Sequence, residues 1–306
     1  MNCFVTGATG FIGSRLVEKL SAEGHEVYCL IRSPEKFNAL RGEHTHLVLG
    51  DLDDFDALLR GCKDCEVVYH LAAYAKVWSK DKNMPYKINV QGTINLLEAS
   101  LKNGVKKFIF TSSAAVFGPS EDSQMIDEHV VRNTPYFNDY EYSKAMAEEF
   151  ALEFLQRGLA IVILNPTRVF GPGPINESNS ITKIIELFQK GRWRIIPGSG
   201  IHIGNYAYID DVVEAMVAAS SVPDINRMVI NVGSGKETSI NDLVKKVLEI
   251  TGAKPEIVTN QSHDSGPSRM RADLAIAKKK LNFSPKYNLE KGILKTIEKD
   301  VRFQKK

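Results

Sequence analysis

At 306 residues the chain is long enough to bury a substantial core and to hold a small-molecule ligand in a cleft between a main domain and a smaller lobe. Its 39 lysines and arginines nearly cancel 37 aspartates and glutamates, and no basic stripe with interleaved aromatics appears, so nucleic acid is not an expected partner. No run is apolar and long enough to span a bilayer and no signal core follows Met1, so a cytoplasmic protein without a membrane partner is expected.

The first predicted strand, Asn2 to Thr6, runs into the turn Thr6-Gly7-Ala8-Thr9-Gly10-Phe11-Ile12-Gly13, which opens a predicted helix over Gly13 to Glu23. A phosphate-binding turn needs glycines in this placement. Gly7 can take a positive backbone angle, Gly10 lets the backbone approach a pyrophosphate, and Gly13 lets the helix pack close. A strand over Glu26 to Ile31 ends at Arg32-Ser33-Pro34, with Ser33 and Pro34 suited to cap and open a helix. A third strand, Thr45 to Leu49, leads into Gly50-Asp51-Leu52 and a helix over Phe55 to Arg60.

Cys62-Lys-Asp-Cys65 has the spacing of a metal or redox half-site, but Cys3 and Cys29 supply no second pair, and no metal or disulfide is expected. The strand Glu66 to Leu71 follows, and His70 at its buried end reads as structural. A helix over Val90 to Asn103, a strand over Lys107 to Thr111, a helix over Glu141 to Arg157 and a strand over Ala160 to Asn165 complete the alternation. Near-continuous apolar strands alternating with amphipathic helices predict an α/β fold, a doubly wound parallel sheet covered on both faces.

After Pro166 the texture changes, with Pro and Gly clustered in Phe170-Gly-Pro-Gly-Pro174 and Pro197-Gly-Ser-Gly200. A dinucleotide-binding domain over 1–168 is expected, with 207–235 returning to it, and a mainly substrate-binding lobe over 169–306. The lysine run Lys278 to Lys280 and the tail Lys305-Lys306 read as solvated.

Tyr140 and Lys144 stand four apart at the start of the long helix and so share a face. A phenol ionises near pH ~10, and a neighbouring ammonium favours its ionised form. Tyr142 is the rival for that role, at the wrong spacing from Lys144.

These segments together resemble the extended short-chain dehydrogenase/reductases. The resemblance rests on Gly7-x-x-Gly10-x-x-Gly13, Phe110-Thr111-Ser112-Ser113 at a strand end, Tyr140-x-x-x-Lys144, Asn89-Val90-Gln91-Gly92-Thr93, Asn165-Pro166-Thr167-Arg168-Val169-Phe170-Gly171-Pro172, Tyr208-Ile209-Asp210-Asp211 and Asn231-Val232-Gly233-Ser234-Gly235. It implies a Rossmann-type fold, a nicotinamide dinucleotide cofactor, and a catalytic set of Ser113, Tyr140 and Lys144. It further implies that Thr6, Thr9, Phe11, Ile12, Asp51, Leu52, the turn Leu71-Ala72-Ala73, Thr111, Pro166 and Arg168 border the cofactor. Members with an acidic residue after the second strand prefer NAD; Arg32 in that place, with Ser33 or Lys36, favours NADP(H), with NAD(H) the alternative.

Three departures narrow the reaction. Sugar-nucleotide dehydratases carry an acidic pair after the active-site hydroxyl, where this chain has Ala114-Ala115. Sugar-nucleotide epimerases hold a diphosphate with an asparagine and arginines, where Arg168 and Asn205 stand here. The loop Ala73-Tyr74-Ala75-Lys76-Val77-Trp78 looks like the dihydroflavonol-reductase-like and hydroxysteroid-dehydrogenase-like branch. Tyr74, Lys76, Trp78, Phe117 and Tyr136 then border an apolar substrate, alongside Ser113 and Arg168. The reading that follows is an NADP(H)-dependent carbonyl reductase, with an NAD-dependent sugar-nucleotide epimerase as the alternative and a non-catalytic dinucleotide sensor third. Family members often dimerise through the tyrosine-bearing helix and its neighbour, here Val90 to Asn103.

Overall fold

The computed structural model describes residues 1–76, 78–120, 124–174, 179–191, 194–197, 202–254, 257–260 and 269–304. In chain order β1 (Asn2–Thr6), α1 (Phe11–Ala22), β2 (Glu26–Ile31), β3 (Thr45–Leu49), α2 (Phe55–Cys62), β4 (Val67–His70), α3 (Gly92–Lys102), β5 (Lys107–Thr111), α4 (Asp139–Gln156) and β6 (Ile161–Pro166) alternate. Then come β7 (Arg168–Phe170), α5 (Ser180–Gln189), β8 (Arg194–Pro197), β9 (Ile203–Tyr208), α6 (Ile209–Ser221) and β10 (Met228–Val232). The chain closes with β11 (Glu237–Ser239), α7 (Ile240–Thr251), β12 (Ile257–Asn260), α8 (Ala275–Leu281) and α9 (Leu289–Lys299).

Seven strands form one parallel sheet in the order β10-β6-β5-β4-β1-β2-β3. The expected doubly wound α/β fold is therefore the observed one. Phe4, Phe108 and Phe110 are fully buried in it, each burial worth roughly 2–3 kcal/mol. Gly61 of α2 lies over Phe4 so closely that a Cβ there would come 2.2 Å from the ring. The strand order reverses between β1 and β4, which lie side by side with Thr6 opposite His70. The carboxyl ends of those two strands make the crevice in which such sheets bind ligands.

The chain divides into two compact units, one of Met1–Val116, Asn138–Asn165 and Val213–Ile230, the other of Phe117–Phe137, Pro166–Val212 and Asn231–Lys306. In the first, the buried Lys107 of β5 donates through Nζ to the carbonyls of Ala219, at 3.3 Å, and Val222, where α6 ends. A cation there answers the carbonyls that a helix terminus leaves unpaired.

In the second unit β9 lies between β7, to which it is parallel, and β11, to which it is antiparallel. The Asp211 carboxylate accepts from the backbone N–H groups of Lys286 and Tyr287 at 3.0 and 3.2 Å, tying the carboxy-terminal segment to the start of α6. The rings of Phe170 and Tyr287 pack on either side of Tyr208, at centroid distances of 5.6 and 4.3 Å.

One predicted element differs in kind. The helix expected over Val90 to Asn103 begins instead as a π-helical turn over Tyr86–Gln91 and becomes α-helical only at Gly92. Asn89 lies buried in that turn, and π-helical turns are often found at functional sites. Val77 of the loop at 73–78, residues 198–200 of the second Pro/Gly cluster and the Lys305-Lys306 tail lie outside the described residues.

Candidate active site

The glycine turn is set by backbone contacts. Gly7 has φ +72°, and a Cβ on it would lie 2.6 Å from the Ala72 nitrogen, so the turn is pressed against the exit of β4. The Gly10 N–H donates to the Gly7 carbonyl at 2.8 Å, and a Cβ on Gly13 would lie 2.1 Å from that same oxygen. Gly13 thus lets α1 pack on the turn itself. No side chain caps α1 and its first turn carries no acid. Thr9 and Gly10 are exposed there, while Phe11 is buried. The free N–H groups of the first helical turn and the positive end of the dipole suit a pyrophosphate, so the cradle fits a dinucleotide.

Behind the turn, Thr6, His70 and Thr93 form a buried chain. Thr93 Oγ1 donates to the Asn89 carbonyl at 2.6 Å, which leaves it to accept from His70 Nε2 at 2.8 Å. His70 Nδ1 therefore accepts from Thr6 Oγ1 at 2.7 Å, and Thr6 Oγ1 accepts from the Ala72 N–H at 3.3 Å. Burial, and then the charge of Lys144, push the imidazole well below its ordinary range. His70 is a neutral spacer that fixes Leu71-Ala72-Ala73 against β1.

Asn89 fixes the next stretch of that loop. Its Oδ1 accepts from the Tyr74 N–H at 2.7 Å and its Nδ2 donates to Ser143 Oγ at 2.9 Å, while Ser143 Oγ donates to the Tyr140 carbonyl at 2.9 Å. One buried amide therefore joins the loop after β4 to the residue before Lys144. Sequence reasoning placed Asn89 in a matching segment without a role; the signal that could have found it is an asparagine directly before the apolar run that opens a predicted helix.

α4 starts at Asp139 because Asn138 caps it: Asn138 Oδ1 accepts from the Glu141 N–H at 3.0 Å, and Asn138 Nδ2 returns a bond to the Glu141 carboxylate at 3.2 Å. That start puts Tyr140 in the first turn and Lys144 one turn further on the same face. Lys144 is 1% exposed; its Nζ donates to the Thr111 carbonyl at 2.7 Å and stands 4.2 Å from the centre of the Phe110 ring. Burial lowers it from the usual lysine range to about 7.

The Ser113 hydroxyl lies near enough to the Tyr140 phenol to act on its ionisation. Burial pushes it above the ordinary tyrosine value, Ser113 pulls it down, and the Glu141 charge adds to the rise. The Lys144 amine is directed to the Thr111 carbonyl. Tyr142 is exposed, edge-on to Tyr86 at 6.2 Å between centroids.

Arg32 follows β2 on the surface, its side chain two-thirds exposed, with its guanidinium 3.8 Å from the Asp51 carboxylate. Asp51 also accepts from the Leu52 N–H at 2.8 Å. An acidic group that follows β3 thus stands beside Arg32. Leu52 is buried against Gly92, so its side chain belongs to the core. Ser33 donates to Glu35.

Among the substrate candidates, Tyr74 donates to Ser79 Oγ at 2.9 Å, Lys76 stands 5.7 Å from the Tyr74 ring centre, and Trp78 is 66% exposed. In the second unit, Phe117 lines a cavity of about 240 Å³ with Ile126 and Val130, and Tyr136 packs under the Arg132 guanidinium at 4.2 Å. Pro166 is buried; Arg168, at the start of β7, is exposed and in register with Tyr206 of β9, whose phenol its charge lowers against the rise from burial. Asn205 is buried, accepting from the Ser234 N–H at 2.9 Å and from Thr167 Oγ1 at 3.1 Å.

Cys62 and Cys65 are buried in the core, their thiols pushed up to about 12 by burial. Among the described residues no cluster of three metal-ligating side chains forms, and no helix is long and apolar enough to cross a membrane.

Similarity to known proteins bears on this geometry. A UDP-glucose 4-epimerase of Mycolicibacterium smegmatis is 33% identical over 313 aligned residues, covering 97% of this chain and 98% of its own. A putative dihydroflavonol 4-reductase of Synechocystis is 38% identical over 188 residues, covering 61% of this chain and 54% of its own. Among solved structures, MoeE5 in complex with UDP-glucuronic acid and NAD has a TM-score of 0.89 at 30% identity, covering 97% of this chain and 98% of that one. The UDP-glucose 4-epimerase of Thermotoga maritima with UDP-glucose has a TM-score of 0.89 at 32% identity, with the same coverage. The expected preference for NADP finds no support in these solved structures, and for the reaction the epimerase alternative fits the comparisons better than the reductase reading. The model of the NAD-dependent epimerase/dehydratase family matches residues 3–233, and the chain belongs to that family of enzymes.

Proposed function

We propose that this enzyme interconverts epimers of a nucleoside-diphosphate sugar, with NAD kept in place from one turnover to the next. The observation that carries the reading is the end-to-end similarity, over 97% of the chain, to enzymes solved with a UDP-sugar, with or without NAD; the likeness to the reductase spans 61%. Held at the glycine turn of Gly7, Gly10 and Gly13, NAD would supply the hydride-transfer chemistry. Tyr140 takes the proton of the substrate hydroxyl and later returns it, Ser113 holds the reacting oxygen, and Lys144 supplies the charge that makes the phenolate accessible. Each proton taken is given back, so the cycle leaves no net change in protonation or oxidation state.

The pair Arg32 and Asp51 supports NAD over NADP. A 2′-phosphate beside Arg32 would also meet the Asp51 carboxylate, whereas ribose hydroxyls would find in it an acceptor. Arg168 and Asn205 remain departures from the epimerase pattern; Arg168, exposed on β7, supplies a cation suited to a diphosphate. A homodimer through α3 and α4 belongs to the same proposal.

One observation favours the second reading, a carbonyl reductase. The Tyr140 phenol is held protonated by burial, which suits a proton donor. The two readings separate when the purified protein is denatured and the released dinucleotide identified. Retained NAD in near-equal amount supports the epimerase; an empty protein that binds NADPH more tightly than NADH replaces it with the reductase.

A further inference from the structure

A third ionisable group shares the face of α4 that carries Tyr140 and Lys144. Glu148 stands four residues beyond Lys144, one helical step of about 6 Å along the axis. Its Oε1 accepts from Asn165 Nδ2 at 2.9 Å, and the same Nδ2 reaches the Ser113 carbonyl at 3.3 Å. Asn165 is fully buried near the end of β6, so the carboxylate is anchored to the segment that carries Ser113. Neither acid–base chemistry at Tyr140 nor cofactor binding, as described above, uses this group.

We infer that Glu148 is a positioning residue: its anchored carboxylate supplies the negative charge that keeps the buried Lys144 an ammonium. The inference rests on the proposed roles of Tyr140 and Lys144. The groups around Lys144 make the need plain. From β4 comes His70, neutral by its hydrogen bonds; from β5 come the Phe110 ring and the Thr111 carbonyl; from β6 comes Asn165, an amide. Glu148 is the acid whose charge opposes the loss of the Lys144 proton in that dry setting. Burial in turn raises the Glu148 carboxyl, and the Asn165 amide and the Lys144 charge hold it down, against a rise from Glu149. Each partner therefore favours the charged form of the other.

The sign is fixed by this arrangement. Removing the carboxylate charge makes the ammonium harder to keep, so Lys144 releases its proton at lower pH. The test is an NMR titration of isotopically labelled lysine side chains in the NAD-loaded protein, with the Lys144 signal identified by its loss in Lys144→Met. Glu148→Gln keeps an acceptor for Asn165 but not the charge, and the Lys144 midpoint is expected to fall by about one pH unit. Glu148→Asp, which draws the charge back by one carbon, is expected to lower it by about half as much. A midpoint that stays in place in whichever of the two variants folds overturns the inference. Because the titration needs no turnover, it stands apart from the proposed reaction: a shifted midpoint in a protein that epimerises nothing sinks the function and leaves Glu148 in its role.

Discussion

The turn at residues 6–13 and the α4 face at residues 140–148, proposed above to serve one reaction, are held under different rules. In the turn the decisive contacts are backbone to backbone: a methyl on Gly7 or Gly13 would lie 2.6 or 2.1 Å from main-chain atoms of Ala72 or Gly7. On α4 the decisive groups are side chains whose charges depend on one another and on burial. Changes in the turn should therefore act on binding in an all-or-none way. Changes on α4 should leave binding largely in place and act on rate and on pH dependence.

The largest expected effect is at the turn. Gly13→Ala sets a Cβ against the Gly7 carbonyl and should lower dinucleotide affinity at least ~100-fold, with about 3 kcal/mol or more lost from stability. Calorimetric titration and thermal unfolding check both. Retained binding would mean that the turn yields, and the contrast with α4 would lose its basis.

Next is Tyr140→Phe, which keeps the ring and removes the proton. Turnover should fall roughly 10²–10⁴-fold while the affinity for NAD changes by no more than about threefold. Steady-state kinetics and a binding isotherm measure the two separately.

Lys144 sharpens the comparison through pH. Burial lowers it to about 7 from an ordinary lysine value of 10.5, so the folded state holds this proton less tightly than the unfolded state. Below pH ~7 both states are protonated and the full cost of the buried charge is felt; between ~7 and ~10.5 the cost fades as pH rises. Lys144→Met should thus stabilise the fold by about 2 kcal/mol at pH 6 and by much less near pH 10, while turnover is lost. Unfolding midpoints across pH check the sign; a gain that grows with pH would contradict it.

The smallest effect expected is at Arg32, an exposed residue whose ion pair with Asp51 is worth little. Arg32→Ala should change NAD affinity by no more than about threefold. A large loss confined to NADP would restore Arg32 as a phosphate reader.

Much of the fold was legible because it follows from periodicity: near-continuous apolar strands such as Lys107–Thr111 and Ile161–Pro166 fit only a sheet covered on both faces. The glycine turn was legible for the same kind of reason, since no other residue fits where Cβ has no room. What stayed hidden depends on contacts distant in sequence. Asp51 reaches Arg32 only because β2 and β3 pair in parallel and bring their carboxyl ends together. Asn89 and Ser143 are 54 residues apart, and nothing in spacing shows that one amide will hold both Tyr74 and the helix bearing Tyr140. Glu148, one glutamate in a run of helix formers, reads as a solvated face until Asn165 is seen to hold it.

In the proposed reaction, hydride leaves the substrate and returns to it on one enzyme. Purified protein, with no cofactor added, is incubated with UDP-glucose and then with UDP-galactose, and each mixture is followed by proton NMR. The account predicts that the same mixture of 4-epimers is reached from either side, with no net reduced dinucleotide. If neither sugar nucleotide changes while NADPH is consumed with a ketone, the claim is contradicted and the enzyme is a reductase.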